Sequence, residues 1–302
     1  MQPQSDSVPA GVIHNIGYRG YEGPRLSRGS IVRALFIHSL RGVFGLGRSA
    51  KSKVLPVGLF SLMCIPAVIL AVVTVILAGQ GALTEPPLPY ARYAMVMQAV
   101  LAIFVAVQAP QAVSLDLRFN TLPLYLSRPV QRIDYVVAKY AALAAGVFIL
   151  LAVPLLVMYV GALLAEFPAG PQTADLLFAF AGAALFSLVL SGISSVIASL
   201  TPRRGFGIAG IITVLALSFA VVTALQGLIG FEQGDMTTAG WLGLFSPMTL
   251  VDGVQVWAFG AESSVPAAPQ DDATGFVFTL VTLVVIAGCF GTLVRRYRKV
   301  RL

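Results

Sequence analysis

This sequence has little charge. Only 11% of its 302 residues are Asp, Glu, Lys or Arg, against about a quarter in an average soluble domain, and that deficit excludes a soluble globular chain. Histidine is scarce as well. His14 and His38 are the two in the chain, and neither stands in H-E-x-x-H or any other metal-ligand spacing. The two cysteines, Cys64 and Cys289, fall inside apolar runs and offer no disulfide framework. The first apolar run begins at residue 54, after a long polar segment, so no signal peptide is expected. The apolar runs hold no paired carboxylates and no ionisable group well inside them. A proton- or ion-coupled carrier ordinarily needs such groups as relays, and an intramembrane enzyme needs reactive ones. The reading is therefore of a chain that is not an enzyme and binds no metal.

What is present is apolar surface: 57% hydrophobic residues and a mean hydropathy of +0.86. Charge-free stretches cover 54–84, 93–115, 140–165, 176–202, 205–231 and 273–294. Each exceeds the ~20 residues a helix needs to cross the hydrocarbon. The predicted fold class is an all-α membrane protein with six transmembrane helices, at 54–79, 93–115, 136–164, 176–200, 205–230 and 273–294. Nineteen of the 20 lysines and arginines then fall on one side, which the positive-inside rule assigns to the cytosol together with both termini. Arg92 is the exception, expected to snorkel beside Tyr90 and Tyr93. The net charge of +7 reflects this topology and attraction to anionic lipid, with no nucleic-acid partner implied. A cytosolic tail occupies 1–29, an amphipathic connecting helix 30–53, the transmembrane domain 54–294, and a basic cytosolic tail 295–302.

Ser30 is a predicted N-cap. After it Val32, Leu35, Phe36, Leu40 and Val43 recur at helical spacing, with Arg33 and Arg41 off that face and Phe44 at its end, as in a basic helix lying in the membrane interface. The long loop 232–272 contains SPMTLVDGVQVWAFG. Ser246 as N-cap, Pro247 at the first helical position and Gly260 as C-cap predict a short helix there. Leu250, Val251, Val254, Trp257 and Ala258 share one face, so the helix is expected to lie at, or dip into, the outer leaflet. Two glycine patterns carry little weight. GVFGLGRS at 42–49 resembles a phosphate-binding loop but lacks its lysine and its α/β setting, and GFGIAG at 205–210 opens a membrane span, where glycines permit close packing. Polarity inside the spans is neutral: Gln108, Gln111, Ser187, Ser191, Ser195 and Thr223 serve either as helix–helix hydrogen-bonding groups or as the lining of a weakly polar pathway.

The segment DLRFNTLPLYLSRPVQRIDYVVAKY, residues 116–140, is the most informative. Thr121 can cap a helix at Leu122, and Pro129 ends it within about two turns. So short a helix is not stable alone in water. LPLYL must dock, either on lipid, where Arg128, Arg132 and Lys139 suit anionic headgroups, or on a protein partner through an apolar knob with a charged rim.

TLPLYLSRPVQRIDYVVAKYAAL (121–143) resembles the first cytosolic loop of ABC-2 type transporter permeases. GYRGYEGPRLSRG (17–29), FGLGRSAKSKVLP (44–56) and LFSPMTLVDGVQVWAFG (244–260) are similar to the corresponding parts of a bacterial branch of that family. The resemblance implies a permease of the bacterial plasma (inner) membrane that pairs as a homo- or heterodimer with a second permease chain. Two separate ABC ATPase subunits would carry the ATP and Mg; none is bound by this chain. The loop after span 2 would be the coupling helix, with Leu122, Leu124, Tyr125 and Leu126 in the ATPase groove and Arg118, Arg128 and Arg132 around it. The helix bearing Arg33, Phe36, Arg41 and Phe44 would also face the ATPase. The external helix would be a re-entrant gate bearing Pro247, Leu250, Val254 and Trp257. The implied function is export of an amphipathic or lipid-like substrate. The alternative is an ATPase-coupled membrane scaffold or signalling protein that moves no substrate.

Overall fold

Two long helices form the middle of the molecule, and the others are arranged by where those two let them approach. The structure, a computed structural model, describes residues 23, 27–47, 49–114, 116, 119, 125, 130–201 and 203–299. The described residues are helical, with no strand among them. In chain order the helices are α1 (Arg28–Val43), α2 (Ala50–Gly79), α3 (Tyr90–Val96), α4 (Gln98–Ala109), α5 (Arg132–Leu164) and α6 (Ala169–Leu200). There follow α7 (Arg204–Glu232), α8 (Met236–Leu242), α9 (Pro247–Phe259) and α10 (Asp272–Lys299). Five of these are long and apolar enough to cross a membrane, or six spans if the bent pair α3–α4 is counted as one. The protein therefore has the helices of a membrane-embedded chain.

α5 and α6 are central. Half of the most apolar stretch of each (50% and 56%) is buried within the chain, against 17% in α2, α7 and α10. Small residues set the approaches. A Cβ on Gly161 of α5 would stand 2.7 Å from the Ala71 Cα of α2, so the two backbones cross where only glycine fits. The apolar side of α1 (Leu35, Val43, with Val32 and Phe36) packs inward, largely on α5, while Arg33 and Arg41 stay exposed. The glycine of GFGIAG at 207 packs near Thr201 and Pro110, the role expected of it.

Several boundaries differ from the sequence reading. α1 starts earlier: its N-cap is Ser27, whose hydroxyl accepts the Ser30 N–H, so Ser30 lies in the first turn. The segment 50–53 belongs to α2, and α5 and α6 begin before their apolar runs, because polar residues continue a helix that packing already supports. The basic tail is helical through Lys299 as the end of α10. Span 2 is not one straight helix. It bends by 61° between α3 and the helix that follows, with neither Pro nor Gly at Met97. Side-chain anchors hold α3 in place: the Tyr90 hydroxyl donates to Gln172 Oε1 (2.6 Å), and that of Tyr93 donates to the Met63 carbonyl. Arg92 does not reach toward lipid alone; it bonds the Ser263 carbonyl (3.0 Å) and pairs with Glu262 (3.4 Å) in the loop 260–271.

The loop 232–272 holds more structure than expected. α8 precedes the anticipated helix, started by the Asp235 carboxylate accepting the Thr238 N–H (2.9 Å). α9 occupies Pro247–Phe259 as read, ending on Gly260 at φ +65°. It is not amphipathic in its setting, however. Met248 to Gln255 are all buried, polar Thr249, Asp252 and Gln255 included, because α9 packs against both α6 and α10.

Candidate functional site

Arg28, Gln131, Asp134, Tyr135, Lys139, Asp116 and Tyr125 lie at the basic end of the bundle, where α1, the start of α5 and the end of α10 converge on Asp116 and Tyr125. The Q-R-I-D sequence makes a capping box at the start of α5: the Asp134 carboxylate accepts the Gln131 N–H at 2.9 Å. Arg28 of α1 then grips the same carboxylate with two parallel bonds, Nη2–Oδ1 2.7 Å and Nε–Oδ2 2.8 Å, and adds Gln131 Oε1 at 3.0 Å. The bond to Asp134 raises the Arg28 pKa. This two-pronged geometry fixes the direction of α1 on α5.

A second cluster lies deeper. Lys139 Nζ is 2.7 Å from the Asp116 carboxylate, with the two side chains 11% and 16% exposed. The Tyr135 hydroxyl donates to the same carboxylate at 2.5 Å. The Tyr135 ring stands 5.5 Å from that of Tyr125 and 5.2 Å from that of Tyr297 at the end of α10. Lys139 Nζ lies 5.9 Å and 5.6 Å from the Tyr125 and Tyr135 ring centres, within cation–π range. Arg132 donates to the Arg298 carbonyl. Charges withdrawn from water this far persist when paired and hydrogen-bonded. Here the pairing joins Asp116 to α5, and Tyr135 of α5 in turn meets Tyr297 of α10.

Of the sequence-predicted docking residues, Tyr125 is half-buried on its own chain and Arg132 faces α10; Arg118, Thr121, Leu122, Leu124, Leu126 and Arg128 lie outside the described residues. Lys139 is turned inward to Asp116, so its reading as a headgroup ligand is corrected. Phe36 and Phe44 pack inward, Phe44 with its ring 6.0 Å from Phe104. Gln108 and Gln111 border a cavity of about 40 Å³ with Ser39 and Lys139. The Gln108 amide and the Ser39 hydroxyl have no protein partner there, and the space holds about one water. Ser187, Ser191 and Ser195 lie in the interior along α6, away from that cavity; Ser187 bonds the Ala183 carbonyl, and Thr223 bonds its own helix at Phe219.

At the opposite end, Leu250 and Val254 of α9 pack on Phe278. Pro247 opens the helix, and the Trp257 indole N–H donates to Asp272 (3.0 Å). Asp252, 2% exposed, was missed. Burial pushes its carboxyl up to about 6, against the opposing pull of the Ser264 N–H (3.2 Å) and the Arg92 charge. Between the ordinary aspartate range and pH 6 the folded chain holds a proton that the unfolded chain releases. Stability is thus lost as pH rises through that window. Asp252→Asn keeps an acceptor for Ser264 and is expected to stabilise the protein by about 2–3 kcal/mol at pH 7.5, with no gain at pH 4. Melting temperatures at the two pH values check this; an equal change at both would contradict it.

No family model matches the chain, and no curated protein matches it.

Proposed function

We propose that this chain is the transmembrane permease subunit of an ATP-driven ABC-2 type transporter, exporting an amphipathic or lipid-like substrate from a bacterial cytosol. The observation that carries the reading is the basic-end junction, where Asp116 is bonded to Lys139 and Tyr135 of α5, and Tyr135 in turn meets the rings of Tyr125 and of Tyr297 at the end of α10. In this reading the basic end is cytosolic, as the distribution of 19 of 20 lysines and arginines supports. ATP closes two partner subunits, which push on the knob around Tyr125. The push reaches α5 through Tyr135 and Lys139, the end of the α4 span through Asp116, and α10 through Tyr297. Tightly packed contacts pass such a displacement on rather than absorb it. The sparsely buried faces of α2, α7 and α10 leave surface for lipid and for a second permease chain.

Purification of the full-length chain from its native membrane in a mild detergent tests the proposal. An ATPase subunit is expected to accompany it in near-stoichiometric amount. Recovery of the chain intact and without an ATPase would overturn it.

A further inference from the structure

At the end opposite the basic junction a cavity of about 380 Å³ opens between the α2–α3 loop, the start of α6 and the end of α9. That volume is within the range of small-molecule sites. Its carboxylates are Glu85, Asp175 and Glu262. Glu262 is shared with Arg92, while among the described residues neither Glu85 nor Asp175 has an ion-pair partner. The starts of α3 and α6 also point here, and each helix N-terminus supplies about half a positive charge. The end of α9 opposes them, so the cavity stays anionic even with Arg92 counted.

Its apolar wall is aromatic. Phe178 and Phe259 lie stacked with ring centres 5.7 Å apart, and Tyr90 faces the same space, held by its bond to Gln172. Aromatic faces beside carboxylates select for cations with apolar substituents. Four prolines, Pro86, Pro89, Pro168 and Pro171, form the rim and keep it preorganised. One further group asks for a ligand. Gln255 lines the cavity, is 2% exposed, and its amide nitrogen has no hydrogen-bond partner. A buried amide left unmatched is costly, and a ligand bearing a carbonyl, ester or hydroxyl oxygen would satisfy it.

We propose that this cavity binds a free organic cation, a substituted ammonium with an apolar body and one hydrogen-bond acceptor. A phospholipid choline headgroup shares the ammonium, but its phosphate would meet the same carboxylates and be repelled. The proposal concerns binding alone and needs no ATPase, so it stands or falls separately from the transport reading.

The experiment is equilibrium dialysis of radiolabelled benzoylcholine against the full-length protein in maltoside micelles. Saturable binding is expected. Its uncharged carbon analogue, 3,3-dimethylbutyl benzoate, should displace it poorly. Glu85→Gln with Asp175→Asn should weaken binding by roughly tenfold or more. Phe178→Leu, on a half-exposed ring and so compatible with folding, should weaken it by about threefold. Equal displacement by the neutral analogue would overturn the proposal, as would unchanged affinity in well-folded variants or no saturable binding. Displacement by phosphatidylcholine added to the micelles, at concentrations where phosphatidylethanolamine has no effect, would assign the cavity to a lipid headgroup and overturn the choice of a free cation.

Discussion

Lys139→Met is expected to destabilise the protein by about 3 kcal/mol, the cost of removing one member of a largely buried, hydrogen-bonded ion pair. The member left behind is Asp116, whose carboxylate is 16% exposed and loses its ammonium partner while the Tyr135 hydroxyl still donates to it. The substitution also removes the cation beside two tyrosine rings. Removing the charge from both sides should cost much less, since a neutral pair no longer holds a charge withdrawn from water. Asp116→Asn with Lys139→Met is therefore expected to recover most of the loss. Thermal unfolding in detergent, followed by tryptophan fluorescence, reads both variants. A Lys139→Met protein as stable as the parent would mean the pair is not buried in the membrane-embedded protein.

The second large effect concerns the same junction from its outer side. Under the proposed function, Tyr125→Ala with Leu126→Ala should reduce ATPase co-purification by about tenfold or more, as expected when an aromatic anchor is truncated. Tyr125→Phe serves as the control. It keeps the ring 5.5 Å from Tyr135 and should keep the partner. A folded double-alanine variant that retains its ATPase fully would remove the knob from the interface.

Five long apolar helices were legible because length and hydropathy set them, and α9 because Ser246, Pro247 and Gly260 mark its ends chemically. What stayed hidden was tertiary in origin. The bend at Met97 has no breaker residue and depends on where Gln172 and Met63 receive two tyrosine hydroxyls. The burial of Asp252 required α6 and α10 to close over a helix whose spacing reads as amphipathic. The inward turn of Lys139 needed Asp116, which is distant in sequence and ordinary in context. Asp134 was the most readable of the missed residues, since Gln131 three positions before it has capping-box spacing. Arg28 carried no local sign of its partner.

The most direct test of the central claim is to place a photo-reactive benzoylphenylalanine at position 124, inside LPLYL, and irradiate intact cells. The account predicts a cross-link to a protein carrying a Walker-type nucleotide-binding sequence, and none to that protein from position 84 at the opposite end. Cross-links from position 124 to lipid alone, or to the same ATPase equally from both positions, would contradict it.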